Sequence, residues 1–207
     1  MITGAAGNLG RAVSKAFADL GDQVVAVDLP TNLLDQAQVD ATVQRTIQQF
    51  KKIDVLCNIA GGFRMGAAVH ETSDKDWNFL LDLNARTVLH TARAVVPHMI
   101  SAGGGKIVNV GAYAAQKGSA QMGAYIASKG AVIRLTETMA AELRDKNINV
   151  NCVLPTIIDT PENRAAMPSV DPRHWVVPAD LASVIVFLAS DEARAIHGAA
   201  VPVAGLS

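Results

Sequence analysis

Cysteine is scarce in this chain, aromatic residues make up 4% of it, and charged residues only 18%. The two cysteines, Cys57 and Cys152, each sit inside an apolar run of strand type. A free cysteine there behaves as a small buried hydrophobe, and no disulfide framework is implied. No apolar run reaches the roughly 18 residues of a spanning helix, and the N-terminus lacks the basic-then-apolar layout of a signal peptide. The expectation is a cytoplasmic protein with no membrane partner. Neither sign of charge is in surplus: 18 Lys and Arg stand against 19 Asp and Glu, a formal net charge of −1. Nothing in that balance suits nucleic acid. The five histidines, His70, His90, His98, His174 and His197, lack ligand spacing, so no metal site is expected. Repeats, charge blocks and low-complexity linkers are also missing, and 207 residues suffice for one domain with a substantial core.

What is there is an alternation of short apolar runs with helical stretches. Met1-Ile2 reads as the stub of a truncated first strand, running into the glycine turn Thr3-Gly4-Ala5-Ala6-Gly7-Asn8-Leu9-Gly10 and a helix over 11–20. The apolar run 24–27 is the next strand, ended by Asp28. Strand, glycine loop, helix, strand and acid, in that order, are the first half of a dinucleotide site. Glycines let backbone approach a pyrophosphate, the helix N-terminus offers free N–H groups, and the carboxylate accepts from ribose hydroxyls. After Asp28 only three residues precede 32–35 and a helix over 36–50, which is short for a crossover between parallel strands. Residues are therefore expected to be missing around 29–32.

Strands follow over 53–60, 106–110, 148–154 and 200–203, with helices over 77–99, 124–146 and 178–195 between them. Unbroken apolar strands alternating with helices predict a Rossmann-type α/β fold: one domain with a doubly wound parallel sheet in three layers. The stretch 156–177 has three prolines and little periodicity, which suits a loop over a substrate. Inside the long helix, Tyr125 and Lys129 lie four residues apart and share a face. An ammonium there would lower the phenol pKa and make Tyr125 a general acid/base.

Taken together, these residues resemble the short-chain dehydrogenase/reductase family over essentially the whole chain. The likeness runs in order through Thr3-Gly4-x-x-Gly7-x-x-Gly10, Asp28, Asn58-Ile59-Ala60-Gly61, Trp77 with Asn84, Ile107-Val108-Asn109-Val110, Tyr125-x-x-x-Lys129, Pro155-x-x-x-x-Thr160 and Val201-Pro202-Val203-x-Gly205. The resemblance implies that Tyr125 is the proton donor/acceptor, that Lys129 tunes it and binds the nicotinamide ribose, and that Asn84 supports a water-linked proton path behind Lys129. Gly4, Gly7, Asn8, Leu9 and Gly10 would surround the pyrophosphate. Asp28 would favour NAD(H) while leaving NADP(H) possible. Asn32 and Leu33 would meet adenine, Ala60 and Gly61 the ribose, and Pro155, Ile158 and Thr160 the nicotinamide and phosphate end. Helices 77–99 and 124–146 would form homodimer or homotetramer surfaces.

Two positions depart from the pattern, the first being the middle glycine, displaced to Gly7 with Asn8 after it. Thirteen residues before Tyr125, where the family places a serine that hydrogen-bonds the substrate carbonyl, stands Ala112. Ser119 is the nearby hydroxyl that could replace it. The sequence is similar here to the dihydropteridine reductase branch, in Gly111-Ala112-x-Ala114-Ala115 and in Leu154-Pro155-x-x-x-Asp159-Thr160-Pro161. That likeness implies a quinonoid dihydropteridine as the small-molecule substrate, which needs one acid only. A carbonyl or 3-oxoacyl reductase, an alcohol dehydrogenase and a catalytically silent nucleotide-binding regulator are the alternatives. Phe63, Ala112, Tyr113, Met167 and Trp175 are the expected walls of the substrate site.

Overall fold

A computed structural model describes residues 1–206. Six parallel strands form one sheet: β1 (Ile2–Thr3), β2 (Ala26–Val27), β3 (Val55–Asn58), β4 (Gly105–Val110), β5 (Ile148–Pro155) and β6 (Ala200–Val203). Their order is β2-β1-β3-β4-β5-β6. Side chains alternate between faces along each strand, so Leu56 and Ile107 join one core while their neighbours Cys57 and Val108 join the other.

Helices cover both faces. Leu9, Val13 and Phe17 recur every fourth residue on α1 (Asn8–Asp19) and are buried with Leu181, Ile185 and Leu188 of α7 (Pro178–Leu188). On the other face lie α2 (Gln36–Phe50), α4 (Thr87–Ala102) and α5 (Gly123–Leu143), through Val39, Val43, Val95, Met99 and Ala140. Asp35 caps α2 by accepting from the Ala37 and Gln38 amides, and Lys51 ends it in the left-handed conformation at φ 72°. Among the described residues no helix is long and apolar enough to cross a membrane.

Residues 32–35 are turns and not a strand. Residues 28–35 lead from β2 into α2, which is the crossover to β3. Since β1 is followed by β2 on one side and β3 lies on its other side, the boundary between β1 and β3 is a switch point. Open α/β sheets bind ligands at such a crevice.

The helix read as continuous over 77–99 is interrupted. α3 (Asp74–Leu81) begins at Ser73, whose hydroxyl accepts from the Asp76 amide, and a π turn at Asp82–Arg86 precedes α4. The wider turn carries Asn84 inward, to 1% exposure. The loop 156–177 also has structure of its own: α6 (Pro161–Ala166), capped by Thr160, and a bridge pairing Ile158 with Val176.

A buried polar chain ties strands to helices beneath the crevice. Asn58 Nδ2 donates to Asn109 Oδ1 at 2.8 Å, Asn109 Nδ2 to Thr136 Oγ1 at 2.9 Å, and Thr91 Oγ1 to Asn58 Oδ1 at 2.8 Å. Asn109→Ala orphans the Asn58 amide in the core, and urea unfolding should show a loss of about 2–3 kcal/mol. A loss under about 0.5 kcal/mol would mean that the site relaxes and the chain is not structural.

Candidate active site

The crevice opens into one cavity of about 1020 Å³ along the C-terminal ends of β1, β2, β3, β4 and β5. A second cavity, of about 350 Å³, lies at the opposite strand ends beside Gly21, Phe50 and Asp54, and holds none of the expected site residues. The large cavity begins at the glycine loop. Gly4 is at φ 65°, and a Cβ on it would stand 2.8 Å from the Ala60 backbone. A Cβ on Gly10 would stand 2.0 Å from the Gly4 carbonyl oxygen, so this glycine lets α1 lie against β1. Gly7 caps α1, and Asn8 and Leu9 begin it. The Asp28 carboxylate accepts from the Ala6 and Leu29 amides, both at 2.8 Å, and lines the same end. Asn32 and Leu33 line it too, although Asn32 Oδ1 already accepts from the Leu34 amide at 3.0 Å.

At the other end Tyr125 and Lys129 both line the cavity from α5. Lys129 is 5% exposed and its Nζ donates to the Val110 carbonyl at 2.8 Å. Burial lowers this amine to about 8 and pushes the Tyr125 phenol up to about 12. The expected direction at the phenol is therefore reversed: the amine is spent on a carbonyl, and loss of solvent dominates at the hydroxyl. The Phe63 ring stands edge-on to Tyr125, with centroids 4.8 Å apart and planes at 84°.

Asn84 is adjacent to this pair but outside the cavity wall. Its Oδ1 accepts from the Gly62 amide at 2.8 Å, and its Nδ2 donates to the Gly62 carbonyl at 3.0 Å and to Ser128 Oγ at 2.9 Å. With three bonds to protein atoms, Asn84 fixes the strand-end loop against α5. A Cβ on Gly61 would meet Asn84 Oδ1 at 2.9 Å and Lys129 Nζ at 3.0 Å, so both side chains converge there.

Ala60, Gly61, Pro155, Ile158 and Thr160 line the cavity between the two ends, and Ala112, Tyr113, Phe63 and Met167 line its mouth. Trp175 does not: it is 4% exposed, in a segment whose neighbour Val176 bridges Ile158, and it anchors the loop 156–177 instead of touching the cavity. Ser119 is exposed and is not part of the wall. Met65 and Met122 also line the mouth, and neither carries a sequence signal beyond being apolar. Asn8 Nδ2 donates to Glu162 Oε2 at 2.7 Å, joining the glycine loop to α6 across 154 residues. No spacing rule announces a contact of that separation.

A profile of the enoyl-(acyl carrier protein) reductase family matches residues 7–205. The 3-oxoacyl-[acyl-carrier-protein] reductase of Thermotoga maritima is 32% identical over 235 aligned positions, covering 99% of this chain and 95% of its own. The chain belongs to the short-chain dehydrogenase/reductase family. Family relatives of known structure superpose closely. The ligand-free aldohexose dehydrogenase of Thermoplasma acidophilum matches with a TM-score of 0.90 at 29% identity, over 99% of this chain and 92% of that one. The carveol dehydrogenase of Mycobacterium avium, in complex with NAD, matches at 0.86 and 26%, over 98% and 94%. Three different substrates appear in those three names. The family and its oxidoreductase chemistry are thereby established, without selection of the dihydropteridine reductase branch. The 235 aligned positions exceed the 207 residues of this chain, so the Thermotoga enzyme has residues without a counterpart here.

The buried amine gives a pH test. The ordinary lysine value is 10.5 and the folded value about 8, so between them the unfolded chain binds more protons. The Lys129 contribution to stability is present at high pH and lost as pH falls through about 8. Melting temperatures of wild type and Lys129→Met at about pH 7.5 and 9.5 should diverge, with wild type gaining relative to the variant at the higher pH. Parallel behaviour would show that the amine is ordinary.

Proposed function

We propose that this protein moves a hydride between NAD(H) and the C=O or C=N group of a small substrate, with Tyr125 as the proton donor and acceptor. The observation that carries this reading is the single cavity that joins the Gly4–Gly10 cradle and Asp28 at one end to Tyr125 and Lys129 at the other. The residues suit a dinucleotide. Glycines leave room beside Ala60 and Gly4, the α1 N-terminus faces the cradle, and the carboxylate of Asp28 repels a 2′-phosphate, which favours NAD(H) over NADP(H). When bound, the nicotinamide supplies or accepts the hydride.

The remaining steps belong to this chain. Asn8 and Leu9 would hold the pyrophosphate, Asn32 and Leu33 the adenine side, Ala60 and Gly61 the ribose, and Pro155, Ile158 and Thr160 the nicotinamide end. Lys129, held at the Val110 carbonyl, would donate to the ribose. In reduction, the carbon gains a C–H bond made with the hydride's electron pair, the π pair moves onto the oxygen or nitrogen, and that atom takes the proton from Tyr125, which is refilled from solvent. Burial keeps the Tyr125 phenol protonated at neutral pH, the form that can give a proton to the substrate. Asn84 acts by holding Gly62 and Ser128. Exposed Trp77, Phe79 and Leu89 on α3 and α4 support a homodimer or homotetramer.

A second reading rests on Ala112, whose buried methyl group offers nothing to polarise a carbonyl. Loss of such a donor costs roughly 10²–10³ in rate for an ordinary ketone, whereas a quinonoid dihydropteridine accepts hydride with one acid. Tyr125→Phe should lower kcat at least about 10²-fold in NADH oxidation while NADH still binds. An unaltered rate would remove Tyr125 from its role. Ala112→Ser should raise ketone reduction; an unchanged rate would show that the methyl is not what limits it.

A further inference from the structure

We propose that the substrate half of the cavity takes an uncharged, predominantly apolar carbonyl compound free in solution, or the corresponding secondary alcohol. The inference rests on the hydride-transfer reading above and narrows its substrate. Six side chains surround the Tyr125 end: Phe63, Met65, Ala112, Tyr113, Met122 and Met167. They come from four separate segments. Phe63 packs on the Tyr125 ring itself, and the Gly66 amide, which donates to the Gln121 carbonyl at 2.9 Å, ties the loop bearing Phe63 and Met65 to the approach of α5. Met122 stands at the start of that helix and Met167 at the end of α6. All are apolar but for one phenol. Three methionines give a wall that is unbranched and adaptable, suited to varied hydrocarbon outlines more than to one polar pattern.

The polar groups that do reach this half are already committed. Thr87 Oγ1 donates to the Leu83 carbonyl at 2.8 Å, Thr156 Oγ1 to the Ala204 carbonyl at 3.1 Å, and Asn163 Nδ2 to the Ile158 carbonyl at 2.8 Å. That leaves the Tyr125 and Tyr113 hydroxyls as side-chain donors with no hydrogen bond to another described residue. A sugar or polyol would bury several hydroxyls against this wall with too few partners, and each unpaired group counts against binding. The pteridine ring, with its several ring nitrogens and exocyclic groups, meets the same difficulty, which weighs against the second reading above even though Ala112 slows ketone reduction.

The cations that neighbour the lining residues in sequence are mostly paired, which counts against an acidic carrier in the same way. Arg64 lies over the Phe79 ring at 3.7 Å and is paired with Asp76 at 2.5 Å. Arg164 is paired with Asp159 through both carboxylate oxygens, at 2.6 and 2.7 Å, and Arg173 with Asp171 at 2.6 Å. Lys117 is the one exposed cation of the 113–122 loop without an ion pair among the described residues, and it lies outside the cavity wall. One lysine does not make the basic surface that a phosphorylated or carrier-bound acyl substrate needs.

The test follows NADH oxidation with a series of 2-alkanones and cyclic ketones, a ketose, an acetoacetyl thioester on its carrier protein, and quinonoid dihydropteridine. The expected result is a kcat/KM that rises about fourfold per added methylene until the wall is filled, with the other three at least about 10²-fold below the best ketone. Met122→Gln should raise KM several-fold more for the longer ketones than for the shortest, with NADH fluorescence titration as the check on folding. A flat alkanone series, or a ketose, thioester or dihydropteridine that outperforms every apolar ketone, would overturn the substrate inference and leave the oxidoreductase reading standing. Tight NADH binding with no oxidation by any of the compounds would overturn both.

Discussion

The site depends on a run of side-chain amides and hydroxyls buried in the sheet. Asn58 ends β3 immediately before the turn that carries Ala60 and Gly61, and Asn109 lies one residue before Val110, whose carbonyl holds Lys129. Joining the two asparagines, and through them Thr91 on α4 and Thr136 on α5, fixes the strand ends relative to the helix that carries Tyr125. In a low-dielectric interior each member is costly to leave unpaired, so the arrangement has one satisfied state. The Tyr125 end of the cavity takes its rigidity from this polar chain as much as from apolar packing.

Lys129 is the second half of that constraint. An amine at 5% exposure has few ways to stay solvated, and the Val110 carbonyl is the partner the sheet offers it. The phenol one helical turn earlier receives no such compensation, and burial keeps its proton on. Burial thus makes the amine easier to deprotonate and the phenol harder to ionise than either is in water.

Much of this was legible in the chain itself. The glycine turn, the acid at Asp28 and the Tyr125/Lys129 spacing placed both ends of the cavity, because each depends on local backbone geometry or helical period. The alternation of apolar runs gave the parallel three-layer fold. What was not legible depends on long-range packing. Trp175 looked like a wall because aromatic residues in a proline-rich loop often line sites, yet the bridge between Ile158 and Val176 draws that segment into the core. The inward turn of Asn84 needs a π turn, which apolar periodicity over 77–99 does not encode. The direction of the Tyr125 shift turns on where one ammonium points, and spacing along a helix cannot report that.

β2 is the margin of the sheet, two residues long, with Ala26 exposed on it. Beyond it the cavity is bordered by residues 28–35, tied by local bonds and not by a strand ladder: the Thr31 amide donates to the Asp28 carbonyl at 2.9 Å, the Asp35 amide to the Asn32 carbonyl at 3.0 Å and the Asn32 amide to Gln38 Oε1 at 2.9 Å. Local turns open at lower free energy than strands joined by ladders. One border of the cavity therefore yields before the other does.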